Sequence, residues 1–91
     1  MTRATVIAFR PARPLDVAAG LLGFARVQVG ELLIDGVAIR RARDGRNVIS
    51  LPSRRDRSGV EHSLIAPISS AVGRDIEAQV LAALQARGEL R

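Results

Sequence analysis

The chain has 91 residues, of which 14 are Lys or Arg and 9 are Asp or Glu, giving a net charge of +5 at pH 7. A hydrophobic fraction of 47 % with so modest a charge excludes a disordered chain and predicts one folded domain over residues 1–91. The lack of cysteine excludes a disulfide framework and a thiolate metal site, and suits a reducing cytoplasm.

The longest apolar run, Val17–Ala25, falls well short of the ~20 residues needed to span a bilayer, so no membrane association is expected. The run Ala4–Phe9 is too short for a secretory core and is followed by arginines, which again predicts a cytoplasmic protein. A domain of this size buries a modest share of its surface, and a homodimer is expected to complete it.

Every basic residue is arginine, a choice that GC-rich codon usage explains. Their clustering it does not explain. Within Arg40–Arg57, seven arginines (Arg40, Arg41, Arg43, Arg46, Arg54, Arg55 and Arg57) stand against Asp44 and Asp56, so this window carries the whole +5.

In chain order, Ala4–Arg10 has the β-branched content of a strand, ended by a loop over Pro11–Pro14. From Gly20 the residues alternate. Leu21, Gly23, Ala25, Val27 and Val29 share a dry face, and Leu22, Phe24, Arg26 and Gln28 share the other. Gly30-Glu31 reads as a turn into a third strand, Leu32–Arg43, bulged at Asp35-Gly36. Asp44-Gly45 predicts a two-residue type I′ hairpin returning as Arg46–Leu51. That register would set Arg43 opposite Arg46, a like-charge pairing that either marks a functional site or, at a hairpin tip, lets two long arginines splay into water.

Pro52–Gly59 reads as a polar loop holding Arg54, Arg55 and Arg57, followed by a short fifth strand, Val60–Ala66, that Pro67 ends. A helix is predicted over Ser70–Arg87, capped by Ser69 or Ser70 and closed by Gly88. Its apolar stripe is Val72, Ile76, Val80, Ala83 and Leu84. Leu81 points away from that stripe, toward a second partner surface. Arg74, Asp75 and Glu77 read as a solvated face. The fold class expected is therefore α+β: an antiparallel sheet of four to five strands followed by one long C-terminal helix.

Concentrated positive charge attracts polyanions, and arginine forks match phosphate oxygens and guanine edges. The alternatives are a solvated basic surface and a non-catalytic module that binds an acidic protein. Phe9 and Phe24 are the only aromatics, and Phe24 is expected to be half buried, so recognition by charge and shape is expected rather than base stacking. His62 with Asp56 and Ser58 or Ser63 has the composition of a hydrolytic triad, but no Gly-x-Ser-x-Gly elbow surrounds either serine. Asp35, Asp44, Asp56 and Glu61 lack metal-ligand spacing. No enzyme, cofactor or metal is expected.

The run Asp44-Gly-Arg-Asn-Val-Ile-Ser-Leu-Pro-Ser-Arg-Arg55, then Gly59, His62, Pro67-Ile-Ser-Ser70, Arg74, Ile76, Val80 and Leu84, resembles the stage V sporulation protein G (septation regulator) family. The likeness is strongest at Leu51-Pro52-Ser53-Arg54-Arg55, which is similar to that family's proline-serine-basic-basic signature. Arg46-Asn47 departs from it, since the family tends to be apolar or aromatic before the valine. The resemblance implies a dimeric α+β regulator that binds DNA and, in some members, RNA. It also implies that Arg54 and Arg55 are the foremost nucleic-acid contacts. The partner expected is nucleic acid, DNA ahead of RNA, met by an arginine-rich hairpin and loop.

Overall fold

In the computed structural model, which describes residues 2–90, six strands and two helices follow in the order β1 (Ala4–Pro11), α1 (Pro14–Ala18), β2 (Leu21–Val29), β3 (Leu32–Arg41), β4 (Asn47–Ser50), β5 (Ser53–Arg55), β6 (Glu61–Ser63) and α2 (Ser70–Ala86). Strands β1 to β4 form an antiparallel sheet in sequence order, and β5 and β6 form a separate two-stranded ribbon. The protein is α+β, as its sequence predicts. Among the described residues no helix is long and apolar enough to cross a membrane.

One face of the sheet is dry because the alternation in β2 is read out in space. Ala25 and Val27 pair with Val37 and Ile34, and all four are buried against Ile76, Val80 and Leu84 of α2. The register slips between Ala25 and Val27, where Asp35 and Gly36 oppose a single residue of β2, so the bulge expected at that pair is present. A second slip at Leu21–Gly23 turns Leu22 inward, which is why it is buried despite its place in the alternation. Gly23 sits where a Cβ would come within 2.5 Å of both the Arg10 carbonyl and the Phe9 ring. Phe9 thus fills the space that glycine leaves, and joins the core.

Helix α2 is capped by the Ser69 hydroxyl, which accepts a hydrogen bond from the Val72 N–H at 3.2 Å. The helix also closes the sheet edges. The Glu77 carboxylate accepts the outward Ile49 N–H of β4 at 3.0 Å. On the opposite edge the Gln79 amide accepts from the Ala4 N–H at 2.8 Å and donates to the Thr2 carbonyl at 2.7 Å, as a neighbouring strand would. Glu77 is therefore an edge cap rather than part of a solvated face. Leu81, expected to point to a second partner, is half-buried and packs against the core.

The face away from α2 has a different character. Ile7, Phe24 and Leu33 are 48, 44 and 57 % exposed there, and Arg10, Arg26 and Arg40 are exposed beside them.

Other departures are local. The segment after β1 contains the short helix α1, which Pro14 at its first position favours. Residues Ser53–Arg55, expected in a loop, form β5 and pair with β6.

Candidate nucleic-acid interface

The arginine-rich stretch is folded into two consecutive hairpins separated only by Leu51-Pro52. Their turns share one design. In the first, the Ala42 N–H donates to the Arg46 carbonyl at 2.8 Å and the Gly45 N–H to the Ala42 carbonyl at 2.9 Å. In the second, the Asp56 N–H donates to the Val60 carbonyl at 2.9 Å and the Gly59 N–H to the Asp56 carbonyl at 3.0 Å. Gly45 and Gly59 lie at φ 89° and 84°, the left-handed position that closes a three-residue hairpin loop. Arg43 and Arg57 hold the same first position in the two loops.

This geometry corrects the expected type I′ turn. No non-glycine residue among those described has positive φ, so Asp44 cannot occupy the first position of such a turn. The extra loop residue moves Ala42 opposite Arg46, Arg41 opposite Asn47 and Arg40 opposite Val48. Arg43 and Arg46 do not confront each other, and the like-charge clash disappears. Instead the Asp44 carboxylate accepts from the Arg46 backbone N–H at 3.0 Å and from its Nε at 2.9 Å. These two bonds, the backbone one foremost, lower the Asp44 pKa below its ordinary value.

All seven arginines of the stretch are exposed. They differ in what they already touch. Arg46 is held by Asp44, Arg41 donates to the Asn47 side chain at 3.3 Å, and Arg55 has the Glu61 carboxylate at 3.7 Å. Arg40, Arg43, Arg54 and Arg57 have no side-chain partner among the described residues.

Arg54 pairs across the ribbon with His62, and Arg55 with Glu61, so the two arginines have different cross-strand neighbours. A carboxylate lies near each pair: Glu61 reaches Arg55, whereas Asp56 engages His62, its Oδ2 lying 2.7 Å from His62 Nε2 and its Oδ1 accepting the Ser58 and Val60 N–H groups at 2.8 and 2.9 Å. The bond to His62, then that to Val60, lowers the Asp56 pKa. Ser58 and Ser63 make no hydrogen bond to His62, so the triad composition does not assemble. Among the described residues no three His, Asp or Glu side chains converge as metal ligands would.

Residues 53–64 are all exposed. A two-stranded ribbon that buries nothing is at best marginal on its own, and an added partner would steady it. Sequence reasoning missed β5 because Pro52, Ser53 and Gly59 read as loop punctuation. The signal that could have found it is the repeat of a loop ending in glycine, Arg43-Asp-Gly45 and Arg57-Ser-Gly59.

No protein-family model matches this chain, and no curated protein matches it.

Proposed function

We propose that the protein is a non-enzymatic, cytoplasmic regulator that binds nucleic acid, DNA ahead of RNA, through the arginines of its two hairpins. The observation that carries this reading is the pair of like-built hairpins, each presenting an arginine at the same loop position, in a window that holds the chain's entire charge excess. Four of its arginines have no side-chain partner among the described residues, and an exposed guanidinium free of carboxylates can bind phosphate without first giving up an ion pair. The likeness of Leu51–Arg55 to the septation-regulator signature supports the same reading.

The working unit is a homodimer. Leu64 and Ile68 are 63 and 95 % exposed, and their chain neighbours Ile65 and Pro67 line a cavity of about 280 Å³ together with Ile49 and Ile76. Apolar side chains this uncovered suit contact with a second copy. Two-fold symmetry would then present two pairs of hairpins to one polyanion.

The test is a fluorescence-anisotropy titration of duplex DNA against the wild type and an Arg54→Glu/Arg55→Glu variant whose fold is verified by circular dichroism. The folded variant should lose at least tenfold in affinity. Equal binding by the two proteins would remove the hairpins from the site and favour an acidic protein as the partner of this surface.

A further inference from the structure

We propose that the sheet face left uncovered by α2 is a stacking platform for an unpaired base of single-stranded nucleic acid, with Phe24 as the ring and Arg10 and Arg40 as phosphate contacts. This rests on the nucleic-acid reading above and names a strand form that the hairpins alone do not select.

The register builds the platform. Arg10, Phe24, Ala38 and Ser50 form one row across β1 to β4, and Arg40 follows two residues beyond Ala38 on the same face. Side chains paired across a sheet stand roughly 5 Å apart, so Arg10 lies beside the Phe24 ring. The inner neighbours in the row, Ala38 and Ser50, are small, and Phe24 stays 44 % exposed. A cavity of about 510 Å³ opens next to it, lined in part by Ala8, Arg10, Phe24, Arg26 and Asp35. That volume lies within the range of small-ligand sites.

Charge decides the occupant. Asp35 holds Arg26 at 3.3 Å, whereas Arg10 and Arg40 have no carboxylate partner among the described residues. A phosphate is therefore drawn to the Arg10 and Arg40 side, away from Asp35. A second copy of this chain docked face to face would bring together two faces that each carry Arg10 and Arg40 without a carboxylate partner, which opposes self-association here. A polyanion with an exposed ring answers both the charge and the aromatic surface. Duplex bases hide their faces in the stack, and an unpaired base does not. Along β3 the face runs from Ala38 through Arg40 toward the Arg43 loop, so a strand on the platform extends toward the first hairpin.

The experiment compares wild type, Phe24→Leu and Phe24→Tyr, each checked for fold by circular dichroism, on a labelled single-stranded oligonucleotide, the same strand with abasic positions, and a duplex. Phe24→Leu should weaken single-strand binding about tenfold, Phe24→Tyr should retain it, and the abasic strand should bind wild type and Phe24→Leu alike. Duplex affinity should be the same in all three. Unchanged single-strand binding by folded Phe24→Leu would overturn the platform while leaving the hairpin reading intact. Failure of wild type to bind any oligonucleotide would instead remove the hairpin reading. A Phe24→Leu variant that halves the solution mass would show that a second copy occupies this face, and would also overturn the platform.

Discussion

Arg54 and Arg55 are neighbours in sequence but not in circumstance. Arg55 faces a carboxylate 3.7 Å away across the ribbon, and Arg54 faces His62. Glu61 would repel a phosphate approaching Arg55, although an exposed pair this long holds Arg55 only weakly. Arg54→Ala should therefore weaken nucleic-acid binding by several-fold more than Arg55→Ala, measured in the same titration. An equal loss would mean that Glu61 swings away on binding and that the two guanidinium groups act alike. Asp56 gives the ribbon an acid-sensitive pin. Its pKa is lowered in the fold from an ordinary 3.8, so its contribution is complete above that value and is lost as the pH falls through the lower folded one. The amides of Ser58 and Val60 should shift in NMR spectra over that acidic window, and Asp56→Asn should abolish the dependence. Unmoved amides in the wild type would show that the carboxylate does not hold the turn.

Helix α2 and the strands it covers form the element on which the rest depends. Ile76, Val80 and Leu84 lie one helical turn apart and are buried, each worth about 1.5–3 kcal/mol of apolar burial. Leu84 is fully enclosed, so Leu84→Ala should cost about 2–5 kcal/mol in a denaturant titration, with binding retained by the molecules that stay folded. A cost near zero would mean that the helix does not seat as described.

These elements were legible because their signals are local and repeated: a period-two alternation in β2, a helical stripe in α2, a serine cap and a closing glycine. The Asp35-Gly36 bulge was legible for the same reason. The first hairpin was half legible. Asp44-Gly45 marked a turn, but loop length is fixed by the partner strand's register, and one extra residue changed which arginines oppose. Strand β5 was not legible, since three residues carry no periodicity and its pairing depends on a second strand beyond the loop. Glu77 and Leu81 were misread because helical position alone does not say how far a sheet edge extends around the helix.

At the scale of the whole molecule, the charge and the core are separated. Helix α2 and one sheet face hold the core cluster, while the window Arg40–Arg57 holds the net charge on two hairpins that bury little. On the function proposed above, such a division would let the hairpins adapt to a ligand without disturbing the fold. Binding would then depend on counterion release, because exposed guanidinium groups gain most of their affinity for a polyanion from the ions they displace. The measurement that bears most directly on this is the affinity of the wild type for duplex DNA across a series of salt concentrations. With five to seven phosphates neutralised, log K should fall against log salt with a slope of roughly −4 to −6. A slope near zero, at any affinity, would contradict phosphate binding by the arginine hairpins.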